Sequence, residues 1–136
     1  MLPIGDDEGT ASGARIVTIA LIALNVLAFF LELGQGSEGA LQSFITAWGV
    51  VPREYSMGRD LAPPIPLPFW STLVTSMFLH GGWMHLIGNM LYLWVFGNNI
   101  EDVMGHTKYG VFYLTCGILA ALSHAVTDPS SSVPMV

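Results

Sequence analysis

Three apolar runs, parted by one long mixed stretch and one short polar turn, organise this chain. Residues 15–33 read RIVTIALIALNVLAFFLEL, interrupted chiefly by Thr18, Asn25 and Glu32. At ~1.5 Å per helical residue the run reaches roughly 28 Å, close to the ~30 Å hydrocarbon thickness of a bilayer. It predicts transmembrane helix one, with Asn25 near mid-membrane expected to make a hydrogen bond between helices.

Residues 34–68 cannot span. They carry Gly34, Gly36, Gly39, Pro52, Pro63, Pro64, Pro66 and Pro68, with charges at Arg53, Glu54, Arg59 and Asp60. Within them Leu41, Phe44, Ile45 and Trp48 fall at i, i+3, i+4 and i+7, the spacing of an amphipathic helix. Trp48 and Tyr55 suit a membrane interface. Residues 69–79, FWSTLVTSMFL, are apolar but too short to cross, and Gly81 and Gly82 part them from the second long apolar run. They suit a half-inserted segment packed on protein. The whole stretch 34–82 is therefore expected to be a long interfacial loop.

Helix two is predicted over 83–104, with Glu101 and Asp102 at its exit and Gly105 as its C-terminal cap. A polar turn over 105–108 leads to helix three over 109–126. There Gly117, Ala121 and Ala125 recur every four residues, a small-residue face that lets another helix come close. Residues 127–136 read as a loop, and the acidic, glycine-bearing residues 1–14 as a disordered lead-in. The fold class is all-α: a polytopic membrane helical bundle with three transmembrane helices and a long interfacial first loop.

Composition strengthens this picture. The 136 residues have a mean hydropathy of +0.58 and only 10% charged side chains, against ~25% in an average soluble domain. A net charge of -6, with four basic residues, argues against a nucleic-acid partner. The lead-in lacks the positive charge of a secretory signal peptide. Arg15 and Lys108 on one side balance Arg53 and Arg59 on the other, so the positive-inside rule does not orient the chain. Cys116 stands alone and has no internal disulfide partner.

The candidate chemistry lies at the start of helix two. His85 and Asn89 are four residues apart, hence on one face in successive turns. Each neutral side chain can donate a hydrogen bond. Left unpaired in hydrocarbon, each would cost ~2–7 kcal/mol. The pair admits two readings: it bonds neighbouring helices and stiffens the bundle, or it forms an oxyanion hole that meets charge developing on a carbonyl oxygen. His80 lies five residues before His85, with no cysteine or carboxylate at metal-ligand spacing, so neither metal nor organic cofactor is implied. His106 is expected to be solvated and His124 to pack at an interface.

Taken together, His80, Gly81, Gly82, His85, Asn89, the exit Phe96, Gly97 and Asn98, and Glu101, Asp102 and Gly105 resemble a known family. The run FLHGGWMHLIGNMLYLWVFGNNIEDVMG, flanked by helix one and helix three, looks like the rhomboid intramembrane serine proteases. That resemblance implies that His85 and Asn89 support the oxyanion and that His80 lies beside the active site. It implies an integral, multi-pass protein of the prokaryotic plasma membrane, surrounded by membrane lipid and cutting transmembrane protein substrates. A Trp-Arg pair that some members carry in the first loop is not found here. The family's G-x-S-G serine turn and its later histidine helix are also missing, so the chain is expected to be an N-terminal half, inactive alone, without nucleophile or base. The rival reading is an inactive rhomboid-like protein that binds transmembrane segments. Oligomeric state does not follow from the sequence.

Overall fold

The computed structural model describes residues 14–61 and 63–136; the lead-in expected over 1–14 lies, apart from Ala14, outside the described residues. Among the described residues the secondary structure is helical, save one isolated antiparallel bridge between Val50 and Met135. Helix α1 spans Ile16–Leu33 and stops at Gly34. Helix α2, Glu38–Trp48, is capped by Ser37, whose hydroxyl accepts the Ala40 N–H at 3.2 Å. Helix α3, Pro52–Met57, starts on a proline and ends at Gly58, whose φ of +63° is the left-handed conformation that glycine adopts cheaply. The amphipathic spacing seen in the sequence is thus α2, and the loop holds a second short helix besides.

The half-inserted segment is a broken helical run: a 3₁₀ turn Phe69–Ser71, helix α4 Thr72–Thr75, and a 3₁₀ turn Ser76–Phe78. Helix two begins as α5, Trp83–Tyr92, widens into a π turn, Leu93–Gly97, and resumes as α6, Asn98–Met104. Helix α7 then runs His106–Thr127. The polar turn expected over 105–108 shrinks to Gly105, whose φ is +80°, because His106, Thr107 and Lys108 already form the first turn of α7. Among the described residues, α1 and α7 are long and apolar enough to cross a membrane, whereas the interrupted run 83–104 does not meet that measure.

The polarity of α1 is inverted relative to a soluble helix. It buries Thr18, Asn25 and Glu32 beside Leu21 and Phe29, and exposes Ile19, Leu24, Leu27, Phe30 and Leu31. Water would favour the reverse; hydrocarbon favours this arrangement, because polar groups must find partners inside the protein. Asn25 donates to the Leu21 carbonyl of its own helix at 2.7 Å, in place of the bond between helices expected of it.

Two cores hold the elements together. In one, Leu21, Leu93 and Tyr109 meet where α1, the π turn and α7 cross. Gly97 permits that crossing, since a Cβ there would stand 2.6 Å from the Tyr109 hydroxyl and 3.3 Å from a Thr18 methyl. In the other, Val50, Ala121 and Ala125 pack with Tyr55, Leu73 and Met135. The small-residue face of α7 therefore receives α3 and the half-inserted segment, with Met77 pressed onto Gly117. Polar links fasten the loop to that segment: the Tyr55 and Thr72 hydroxyls lie 2.7 Å apart, and Thr75 donates to the Trp48 carbonyl at 2.6 Å. Residues 128–136 fold back, with Arg53 N–H on the Ser131 carbonyl and Met135 N–H on Val50.

Candidate active site

His80 closes the half-inserted segment and is buried. Its backbone N–H donates to Glu32 Oε1 at 3.1 Å, which ties this turn to the end of α1. Its ring Nδ1 lies 3.1 Å from the Phe78 carbonyl. A carbonyl can only accept, so in the neutral ring the proton sits on Nδ1 and the lone pair on Nε2. Burial first, and then the neighbouring His85, push its pKa below the ordinary histidine value. The ring meets Phe29 edge-on at 6.4 Å and His85 at 5.2 Å, and Phe29 in turn meets Trp83 at 4.9 Å.

Helix α5 sets His85 and Asn89. Leu86 and Leu93 are buried, and Met90 packs against the α1 core. At about 100° per residue this leaves His85 and Asn89 turned away from α1 and exposed. The Gly81 N–H points at His85 Nδ1 over 3.4 Å, long for a hydrogen bond. That contact makes Nδ1 the acceptor and leaves the ring proton on Nε2, free to donate outward. None of the described residues hydrogen-bonds the Asn89 side chain. Both amide hydrogens of Asn89 and one N–H of His85 are thus available on one face. A developing oxyanion beside that face would meet two neutral donors from successive turns.

His80 and His85 therefore come into ring contact, and Asn89 follows one turn later on the same face of α5. The bonds that the stiffening alternative requires, from His85 or Asn89 to neighbouring helices, are not present among the described residues. His106 is exposed as expected, and its Nδ1 also bonds the buried Glu101. His124, expected to pack, is exposed in the last turn of α7. No described serine bonds a histidine: Ser123 donates to Leu119, and the Ser71 and Ser76 hydroxyls are buried without partners.

Two residues that matter here were passed over in the sequence. Glu32 holds the His80 turn, and the cost of a carboxylate at the end of an apolar run was the available signal. Glu101, read as a helix exit, is buried and accepts from Val17 N–H, Thr18 N–H and the Thr18 hydroxyl at 2.8, 2.8 and 2.7 Å.

Comparison with known proteins gives a consistent pattern. The Rhomboid domain model matches residues 68–136. The chain is 32% identical to Rhomboid protease GluP of Bacillus subtilis over 122 residues, covering 89% of this chain and 22% of that protein. It is 30% identical to Rhomboid protease AarA of Providencia stuartii over 114 residues, 83% of this chain and 37% of the relative. It is 41% identical to RHOMBOID-like protein 6, mitochondrial, of Arabidopsis thaliana over 54 residues, 37% of this chain and 18% of the relative. The chain thus spans well under half the length of these relatives. No solved structure matches it significantly.

Proposed function

This chain belongs to the rhomboid family, and we propose that it supplies the oxyanion-binding half of an intramembrane serine endopeptidase. In this reading a serine and a histidine base come from a part of the protein outside this chain. The serine oxygen attacks the scissile carbonyl of a transmembrane substrate, its proton passes to the base, and His85 Nε2–H and Asn89 Nδ2–H hold the oxyanion. His80 stands behind the pair and keeps His85 in place. The proposal extends to the membrane: α1, the run 83–104 and α7 form three spans, the middle one about 33 Å long at ~1.5 Å per residue. Bacterial and plant relatives match alike, so kinship does not by itself select the prokaryotic plasma membrane expected from the sequence.

The observation that carries the proposal is the outward face of α5, where two polar side chains in successive turns are exposed and make no bond to a neighbouring helix. Residues kept only to stiffen the bundle would be turned the other way. The test uses the complete protein with its nucleophile and base. His85→Ala and Asn89→Ala should each lower kcat by ~10²–10³, roughly 2.7–4 kcal/mol, with much less effect on KM. The double variant should fall short of the sum, since both donors serve one charge. Unchanged kcat in samples matched for folded fraction, with lower melting temperatures, would show packing residues instead.

A further inference from the structure

A groove of about 320 Å³ lies apart from His85 and Asn89, between α1, α2 and the half-inserted segment. Leu24, Leu27 and Leu31 form one wall, Phe44 and Trp48 the second, and Phe78 closes the end. Its one polar lining residue, Thr75, has its hydroxyl committed to the Trp48 carbonyl. We propose that this groove seats one acyl chain of a phospholipid with a net-neutral, ammonium-bearing headgroup. The inference rests on α1 spanning the membrane, as proposed above.

Three features of the groove point to that occupant. An apolar cavity with no free polar partner stays dry, so water is not the filler. Leu24, Leu27 and Leu31 are each about half exposed (50%, 56% and 54%), so the groove is continuous with the lipid-facing side of α1. The third feature is charge: neither α1 nor α2, the two helices that wall the groove, contains a lysine or arginine, while Glu38 is exposed at the start of α2. Neither helix offers an anionic headgroup a cation, whereas Glu38 offers an ammonium group a carboxylate.

The chain reconstituted in phosphatidylcholine vesicles, with a photoactivatable diazirine midway along the acyl chain of a tracer phosphatidylcholine, tests this by mass-spectrometric mapping of adducts. Adducts should concentrate several-fold on the groove residues over Val111, Leu119 and Val126, which are at least as exposed on α7. Ala28→Phe, which fills the floor, should abolish the enrichment, and a phosphatidylglycerol tracer should label the groove less than phosphatidylcholine does. Even labelling of groove and α7 in the unaltered chain overturns the proposal without recourse to any variant. So does enrichment that survives Ala28→Phe in folded protein, or protein–protein crosslinks through Leu24 and Leu27, which would assign the groove to a second copy. Equal labelling by phosphatidylglycerol overturns the headgroup assignment. Absence of adducts from both α1 and α7 would instead refute the membrane placement on which the inference rests.

Discussion

Glu101→Gln is the sharpest perturbation of this fold. Helix α1 begins at Ile16, and its N-cap Arg15 provides no side-chain cap, so its first N–H groups need a partner from elsewhere. Glu101 provides it: Oε1 takes Val17 N–H, and Oε2 takes both Thr18 N–H and the Thr18 hydroxyl. A glutamine offers one oxygen and one NH₂ group. Whichever way the amide turns, a donor then faces Val17 N–H or the Thr18 N–H, and a buried backbone group is left unpaired. Hydrogen bonds to a charged acceptor contribute ~1.5–3 kcal/mol each, and breaking a buried charged pair from one side costs ~3–5 kcal/mol. The bonds share one carboxylate and do not sum, so we expect a loss of about 3–5 kcal/mol. Unfolding in mixed detergent micelles, followed by circular dichroism, measures it. Thr18→Val removes one donor at nearly constant shape, and the double-mutant cycle should show coupling of ~0.5–3 kcal/mol. His106→Gln, with the ring half in solvent, should cost less than ~1 kcal/mol. A Glu101→Gln protein within ~0.5 kcal/mol of the unaltered chain would refute the capping argument.

Three further outcomes are expected. Burial holds the Glu54 carboxyl above its ordinary range, outweighing its bond from Leu61 N–H. The folded state therefore binds that proton more tightly than the unfolded chain, so the contribution of Glu54 is greatest at acid pH and is lost as pH rises through its folded value. Glu54→Gln, which retains an acceptor for Leu61, should raise the melting temperature near neutrality and flatten its fall as pH rises above the ordinary carboxylate range; an unchanged slope would remove Glu54 as its source. Gly97→Ala should cost ~1–3 kcal/mol by overpacking against the Tyr109 hydroxyl, and Tyr109→Phe should recover part of the loss in the double variant. A serine-directed fluorophosphonate should label none of Ser71, Ser76 or Ser123 in this chain; fold-dependent labelling at any of them would reveal a nucleophile that the described geometry lacks.

Most of the helices were legible because their signals are local. The spacing of Leu41, Phe44, Ile45 and Trp48 is enough to mark α2, and Leu33 followed by Gly34 marks the end of α1. Helix α3 also carried a signal, Pro52 at its first position and Gly58 after its last, which the proline-rich surroundings obscured. The start of α7 was misjudged because Gly105, His106, Thr107 and Lys108 look like a turn by composition, although Gly105 alone makes the reversal. His85 and Asn89 were legible as a pair, since helical spacing places them in successive turns. The roles of Glu32 and Glu101 were not. Their partners are backbone N–H groups 48 to 84 residues away, and a backbone N–H leaves no mark in a sequence.

Those two carboxylates explain how the outward face of α5 is held. Helix α1 and the run 83–104 lie antiparallel, each bringing its C-terminal end beside the other's beginning. Glu32, near the end of α1, accepts from His80 just before α5; Glu101, near the end of α6, accepts from Val17 and Thr18 in the first turn of α1. Each helix thus presents a carboxyl group to backbone N–H groups at or just before the other's beginning. A single such tie would act as a pivot. Two ties at opposite ends, with Phe29 against Trp83 at one and Gly97 against Thr18 at the other, fix both the register and the rotation of one helix on the other. With rotation fixed, the inward positions belong to Leu86, Met90 and Leu93, and His85 and Asn89 have only the outer face left. An oxyanion hole needs donors that do not move when charge develops. Under the role proposed for His85 and Asn89, rigidity comes from groups outside the pair, so loss of Glu32 or Glu101 should disturb the outward face through rotation of α5 while leaving its own residues intact.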